Sequence, residues 1–414
     1  MTNYFKLPQF LFLISCFSVI LFSCDRDEDS EPVEEELPPI ALDCNYFSEN
    51  RILENDPRRP IDYVISCYTN VQGSLRIEAG VVIAFENHAG MRVDLDNQLF
   101  EVIGTETEPV IFTGTRAQNG FWRGIYFTEA HNANNIIEHA VIEYAGSQPL
   151  KETSPIYEGA LALRGVSGTP PQALTLTNVE IRQSGNHGLD FSGLETNASV
   201  SVSQVTITEN NGFPVKVSAN MAHIFDASSS FEGNGSDFIN IVEDHYEINS
   251  TVTWADLNVP YLVDSRIHIK DGGNLTLEAG SEFYFEPEAY IQPYDGSTDG
   301  GADLSLKILG TSTEQVLLAA ANGTNWGGIQ FGFTQEDNQI SHAIIENARG
   351  DFFAGNQTNT GAIYLHARPR LSIDNTIFRN LPNCAFYGTG SDSFDHLTTS
   401  NLAFDTVGQE YCEN

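Results

Sequence analysis

The amino-acid sequence predicts an all-β solenoid, a rod of stacked coils built from short strands. The composition of 34 Gly, 17 Pro and 26 Phe with only 3 Met among 414 residues favours strands and turns over long helices. A strand pair at residues 179–181 and 188–191 recurs at 205–207 and 212–213, with 26 residues between Val179 and Val205. Because one coil cannot bury its own apolar face, the coils must stack to form a core.

An internal duplication supports this prediction. Residues 73–80 (GSLRIEAG) recur at 273–280 (GNLTLEAG), and WRGIYF at 122–127 recurs as WGGIQF at 326–331. Further matches keep the same order with small changes in spacing, which indicates loop insertions on one shared scaffold. We therefore expect four parts in the body of the chain: an N-terminal cap (43–72), a first half (73–257), a second half (258–400) and a C-terminal cap (401–414).

Three motifs of the duplicated scaffold point to a family. They are Leu-x-Ile-x-x-Gly, Gly-Thr followed four residues later by Pro-Val-Ile-Phe-Thr, and Trp-x-Gly-Ile-x-Phe. These motifs resemble those of the right-handed parallel β-helix proteins of the pectin-lyase-like superfamily, and more narrowly of bacterial surface lipoproteins of unassigned function. The resemblance covers about residues 60–390. It implies a single-stranded solenoid with capped ends and roughly 14 coils, on the order of 65 Å long. Either one helix runs through, or a second one starts near Asn258.

The N-terminus predicts export and lipid attachment. Lys6 is the only charged residue before an apolar run at 10–22, which is short for a membrane span. The run ends in Leu-Phe-Ser-Cys24, which resembles the lipobox of bacterial lipoproteins. The resemblance implies that residues 1–23 are a signal peptide and that Cys24 carries the lipid, palmitate among its acyl chains. The alternative is an ordinary signal peptide followed by a free cysteine.

Residues 24–42 are predicted to form a disordered, acidic tether between the lipid and the body. Acidic runs after the lipidated cysteine resemble the signals that send lipoproteins to the outer face of Gram-negative cells. This resemblance implies an outer-membrane protein that is lipid-anchored and exposed at the cell surface.

The net charge excludes nucleic acid as a partner. The chain has 20 Lys and Arg against 56 Asp and Glu, a formal charge of −36. Removing the signal gives −37, and the tether accounts for −7, so the folded body keeps −30. Polyphosphate binding requires clustered cations, and so does attraction of acidic polysaccharides. The net charge therefore favours neutral or calcium-bridged ligands.

The cysteines beyond Cys24 predict two disulfides. An even number in an exported protein favours disulfides, and Cys44, Cys67, Cys384 and Cys412 allow three pairings. The local choice joins Cys44 to Cys67 and Cys384 to Cys412. The alternative, a metal site, lacks CxxC spacing and suitably placed histidines.

A candidate calcium loop lies in an insertion of the second half. Oxygen-bearing side chains occupy alternate positions around glycines, and this resembles a calcium-binding loop because a hard cation prefers oxygen ligands. The glutamate expected at the end of such a loop is replaced by Leu306, and the alternative is a polar turn. The candidate ligands are Asp295, Ser297, Asp299 and Asp303.

Two excursions mark a candidate ligand-binding corner. Residues 147–158 and 351–360 leave the coil at equivalent points of the two halves, and long excursions from a solenoid often bind ligands. The alternative is a pair of tolerated loops. The candidate binding residues, cationic or aromatic in an acidic chain, are Lys151, Tyr157, Arg349, Phe352 and Phe353.

The sequence predicts no catalytic group. Asn186-His187-Gly188 is a candidate, but Cys384 replaces the histidine in the second half, so we interpret His187 as a turn residue. His139 and Glu143 recur as His342 and Glu346, and strand alternation places each pair on one outward face. Trp122 and Trp326 are interpreted as packing residues.

These observations predict a non-catalytic, monomeric surface lipoprotein whose β-helix binds a glycan or a surface protein. Calcium is the candidate cofactor. The alternative is a polysaccharide lyase or glycoside hydrolase of the β-helix type, and a third option is a passive structural spacer.

Overall fold

Nearly every strand pairs in parallel with the strand one coil later along the chain. The computed structural model describes residues 35–165, 170–242, 247–294, 303–332, 338–350, 352–354, 357–359, 361–366, 368–390 and 392–413. The pairs stack into three ladders per half, which we call the first, second and third faces in chain order. The predicted all-β parallel β-helix is confirmed.

The first half has six or seven strands on each face, and two long strands bend so that they serve the first and second faces together. The first face contains Arg51–Leu53, Leu75–Ile77, Phe100–Ile103, Ile136–Glu143, Ala173–Arg182 and Ser199–Ser203. The second face contains Ile40–Leu42, Tyr63–Ile65, Val82–Phe85, Val110–Gly114, the ends of the two long strands and Thr206–Thr208. The third face contains Tyr68–Val71, Gly90–Leu95, Gly124–Ala130, Leu161–Leu163, Leu189–Phe191, Val215–Ser218 and Ile239–Val242.

The second half repeats this arrangement, and its last two long strands serve the second and third faces together. The first face contains Thr251–Trp254, Asn274–Leu277, Ser305–Leu309, Asn338–Ser341, Leu371–Asp374 and Leu397–Ser400. The second face contains Tyr261–Val263, Glu282–Phe285, Val316–Ala320, Ala343–Glu346, Ile377–Gly388 and Ala403–Glu413. The third face adds Arg266–Ile269, Tyr290–Pro293, Gly328–Gly332 and Gly361–His366 to these two long strands. Phe352–Ala354 and Gln357–Asn359 form a separate antiparallel pair.

The two halves meet at a seam where the ladders change partners. Ile239–Val242 ends the third face of the first half, yet its other neighbour is Tyr261–Val263, on the second face of the second half. The third face of the second half starts separately at Arg266–Ile269, which is bridged by Ile248. The 3-10 helix Ala219–Ile224 packs at the seam. One apolar core extends through both halves, so the chain forms one continuous rod rather than two.

The core is held by the same contacts in each half. Phe85 stacks on Trp122, and Phe285 stacks on Trp326, with 4.1 Å between ring centroids in both pairs. Both tryptophans are fully buried, as their interpretation as packing residues requires. Such rings contribute more than their buried area alone because stacked faces attract.

Both ends of the described chain belong to the ladders. Ile40–Leu42 already pairs with Tyr63–Ile65, so the parallel pairing starts within the segment expected to be tether. A short 3-10 helix, Tyr46–Ser48, buries Phe47 against the first coil. Among residues 35–413, apart from the gaps given above, no helix is long and apolar enough to cross a membrane.

The disulfides join Cys44 to Cys67 and Cys384 to Cys412, with Cα atoms 6.0 and 6.1 Å apart. This is the local pairing expected from the sequence. Each bridge links neighbouring coils near one end of the rod, where fewer coils pack on both sides.

Candidate functional site

The outer surface of the third face carries different chemistry in the two halves. In the first half, alternate residues of successive strands stack into an outward row, because their neighbours such as Val93 and Phe127 fill the core. We call this the first-half row. It consists of Asn70, Arg92, Tyr126, Ala162, Asp190 and Lys216.

The corresponding register in the second half gives the second-half row. Its members are uncharged amides and aromatic rings, with a cysteine of the terminal disulfide at its end. The row consists of His268, Gln292, Gln330, Tyr364, Tyr387 and Cys412.

The first excursion folds back over the first-half row. Lys151 and Tyr157 form an antiparallel bridge, and the Lys151 ammonium lies 5.6 Å from the Tyr157 ring centroid and donates to the carbonyl of Pro155 at 3.0 Å. Tyr157 is only 1% exposed and packs against Tyr126 with 5.7 Å between ring centroids. The structure therefore brings Lys151 and Tyr157 together, with the tyrosine anchoring the excursion to the rod.

Two residues that the sequence did not single out hold the same excursion. The Arg123 guanidinium lies 4.6 Å from the Tyr68 ring centroid and donates to Gln148 at 2.6 Å and Glu152 at 2.9 Å. The Tyr68 hydroxyl donates to the carbonyl of Leu150 at 3.2 Å. The duplication offered a sequence signal for Arg123, because the WGGIQF motif of the second half has a glycine at the equivalent position.

The second-half row has a buried floor. Gln292 donates to Gln330 at 2.9 Å and accepts from Arg266 at 3.1 Å. The side chains of Tyr364 and Tyr387 are also buried, and their ring centroids are 5.8 Å apart. Burial raises the pKa of Tyr364, so the phenol stays neutral.

Half-exposed rings surround this floor. Tyr290 packs against the buried tyrosine pair, and the Tyr294 ring lies 6.3 Å from the ring of His366. Burial lowers the pKa of His366, which keeps the imidazole uncharged at neutral pH. We call Tyr290, Tyr294 and His366 the aromatic rim. The members of the floor and rim are uncharged, with the Arg266 guanidinium beside Gln292, and they suit a ligand that offers hydroxyl groups and apolar faces.

Arg349 precedes the second excursion and lies 3.4 Å from Glu288. Phe352 and Phe353 belong to the strand Phe352–Ala354, and their side chains lie outside the described part of the structure. Their role in binding stays a prediction.

His187 occupies a tight corner, as its interpretation as a turn residue requires. Its Nδ1 accepts a hydrogen bond from the backbone amide of Phe213 at 3.1 Å, and its ring stacks on the Phe213 ring. Burial, aided by the charge of Lys216, lowers the pKa of His187 to about 4. The imidazole is therefore neutral at pH 7 and already accepts a structural hydrogen bond.

Asp190 is buried beneath the first excursion. It accepts from the hydroxyl of Ser192 at 2.6 Å and from the amide of Glu158 at 2.9 Å, and it lies 3.7 Å from the Lys216 ammonium. Burial raises the pKa of Asp190. Its oxygens are occupied by these partners, which is typical of a structural carboxylate rather than a general base.

The predicted outward pairing of His139 with Glu143 is wrong. His139 and His342 have φ of 47° and 48°. His139 sits at the bend of Ile136–Glu143 and His342 between Asn338–Ser341 and Ala343–Glu346, so the period of two does not continue through either residue. Glu143 instead forms an ion pair with Arg182 at 2.7 Å. Glu346 forms the corresponding pair with Arg379 at 2.6 Å.

The calcium prediction is untested by the geometry. Asp295, Ser297 and Asp299 lie outside the described residues, as does Cys24, whereas Asp303 lies just before the strand Ser305–Leu309. Within the described ranges, no group of three or more His, Cys, Asp or Glu side chains is placed to hold a metal ion.

Comparison with known proteins assigns no role to these residues, so the site is interpreted from its own chemistry. No family model, no curated protein and no solved structure matches the chain.

Proposed function

We propose that the chain is a lipid-anchored cell-surface protein that binds a neutral glycan on the outer third face of its second half and does not cleave it. The carrying observation is the second-half row, with its buried amide and phenol floor and its aromatic rim. Sugar hydroxyls exchange hydrogen bonds with amides and phenols, and the C–H faces of a sugar ring pack on aromatic rings.

The duplication supports this location. The contacts inside the rod are repeated in the two halves, whereas the outward residues of the third face differ. Arg92 occupies the position of Gln292, Tyr126 that of Gln330, and Asp190 that of Tyr387. The second-half row therefore lacks the charged side chains that Arg92 and Asp190 contribute to the first-half row.

The remaining parts of the proposal rest on the sequence. The lipobox-like segment ending at Cys24 supports anchoring in the outer membrane, and the acidic residues 25–36 support display at the cell surface. The motifs at 73–80 and 122–127 support membership of the pectin-lyase-like superfamily.

The binding test uses a matched pair of tyrosines. Tyr294 belongs to the aromatic rim, whereas Tyr284, also half-exposed, lies on the second face of the same half. We expect the purified chain to bind neutral oligosaccharides on a glycan array. Tyr294→Ala should weaken that binding at least tenfold, and Tyr284→Ala should leave it unchanged.

Equal binding by both variants would show that Tyr294, and with it the aromatic rim, is not part of the binding site. Failure to bind any neutral glycan would overturn the proposal. Release of unsaturated or reducing sugar ends during the same incubation would establish the lyase or hydrolase instead.

A further inference from the structure

The first-half row contains a buried hydroxyl without a partner. Tyr126 is 4% exposed, and its phenol oxygen makes no hydrogen bond to any residue that the structure describes. It points out of the rod, beneath the excursion that Tyr157 anchors. Buried phenols are normally hydrogen-bonded, so an unsatisfied one that points outward is available to a water molecule or a ligand.

Two arginines lie near this hydroxyl in the register of the strands. Arg92 pairs with Tyr126, and Arg164 comes two residues after Ala162, the partner of Tyr126 on the next strand. Burial raises the pKa of Tyr126, and the charges of Arg164 and Arg92 oppose that rise. Burial, with the charge of Arg164 as the smaller cause, lowers the pKa of Lys151, whose ammonium donates to the carbonyl of Pro155.

These cations have few anionic partners. Arg164 makes no ion pair within the described ranges, and Arg92 has one contact, at 3.6 Å to Asp94. The Nε of Arg92 is buried and has no hydrogen-bond acceptor among those residues. Although the chain has 56 acidic residues, Asp94 is the one carboxylate that pairs with these cations among the described residues.

The overall charge of −36 does not decide what binds here. Exposed charges are screened beyond a Debye length of about 8–10 Å, so the nearest side chains set the potential at the site. The hydrogen-bond donors there are two guanidiniums, one ammonium and a phenol, and the carboxylate of Asp94 lies beside Arg92.

We propose that Tyr126, Arg92 and Arg164 form an oxyanion-binding site. An oxyanion would accept a hydrogen bond from the phenol and charge-assisted hydrogen bonds from the guanidiniums, whose planar forks match a carboxylate or a sulfate. The site differs in position and chemistry from the neutral second-half row. It rests on the proposed function only for the claim that the oxyanion is borne by a sugar.

The test compares three sugars that differ in charge. The purified full chain is titrated calorimetrically at low salt with D-glucuronate, with D-glucose 6-sulfate and with D-glucose. We expect the two anionic sugars to bind and D-glucose not to bind at this site. The stronger of the two identifies the oxyanion as carboxylate or sulfate, and raising the salt concentration should weaken both.

Three variants locate the site. Arg164→Gln should lower the anion affinity about tenfold, since it removes one charge-assisted hydrogen bond. Tyr126→Phe should lower the affinity severalfold while leaving the melting temperature of the ligand-free chain unchanged or higher, because the buried hydroxyl is unsatisfied without ligand. Lys307→Gln, on the first face of the second half, is the control and should change neither quantity.

The proposal fails if both anionic sugars bind no better than D-glucose, or if Arg164→Gln and Tyr126→Phe bind them as the unchanged chain does. A fall in melting temperature for ligand-free Tyr126→Phe would show that the hydroxyl has a structural partner and would also overturn it. Tyr294→Ala separates the two proposals, because it should remove neutral-glycan binding and keep anion binding.

Discussion

The two halves of the rod share an interior but differ on the outer third face. In the interior, Trp122 donates its indole N–H to the carbonyl of Glu143 at 2.7 Å, and Trp326 donates to that of Glu346 at 2.9 Å. The side chains of the same two glutamates form equivalent ion pairs with arginines one coil later. The repeated geometry shows that the same interior contacts stabilise each half.

The difference lies where solvent and ligands reach the rod. The first-half row contains Arg92, Tyr126 and Asp190, and the second-half row has amides and a tyrosine at the same places. Because stacking constrains only the inward side chains, the outward ones were free to diverge after duplication. The comparison separates residues that hold the rod together from residues that give each half its own chemistry.

The largest expected effect tests the shared interior. Trp122→Ala and Trp326→Ala should each lower the free energy of unfolding by about 4 kcal/mol, because each removes a fully buried ring and leaves a cavity. Urea unfolding followed by circular dichroism measures both. A loss confined to one variant would contradict the equivalence of the two interiors.

The second effect is a pH dependence of stability that comes from the first half alone. His187 has a pKa of about 4, against an ordinary value of 6.5, and its counterpart in the second half is Cys384, which is in a disulfide. Between these two pH values the unfolded chain binds a proton that the folded chain does not, so stability falls as pH falls from 6.5 to 4. The loss from this group should be about 3 kcal/mol.

Urea titrations at pH 7 and pH 4 measure this loss. His187→Gln removes the titrating group, and its stability should fall less than that of the unchanged chain over the same range. Identical pH dependence in the two proteins would show that His187 is charged without penalty in the folded state.

The smallest effect concerns the ion pairs. Glu143→Gln and Glu346→Gln should each lower the free energy of unfolding by about 1 kcal/mol, because both carboxylates are largely buried beside a partly exposed arginine. Double-mutant cycles with Arg182→Gln and Arg379→Gln isolate the pairing energies. Coupling energies that differ by more than about 1 kcal/mol would mean that the two ion pairs have the same geometry but contribute unequally to stability.

Sequence periodicity predicted the stacked strands well because each inward side chain must be apolar. It failed at His139, where a residue with positive φ bends the chain and ends the period of two. Sequence periodicity also did not predict the seam between the two halves. The 3-10 helix Ala219–Ile224 and the change of partner at Ile239–Val242 depend on how coils meet rather than on local pattern.

The candidate sites show the same limit. Excursions at the same corner were visible as insertions, and Lys151 and Tyr157 do lie together on the rod. Tyr126 and Arg164 were not recognised, because residues far apart in the chain become neighbours only when coils stack. An unpaired hydroxyl has no signature in sequence at all, since it is defined by the partners that folding fails to provide.

The seam has a consequence for valency. The register continues the first-half row through Asn240 to Leu262 and Tyr284, on the second face of the second half. A straight polymer that follows this row therefore reaches Leu262 and Tyr284 instead of Gln292 and Gln330. If both rows bind as proposed, their different lines on one rod would let the protein hold two separate chains, with an avidity that depends on the spacing of those chains.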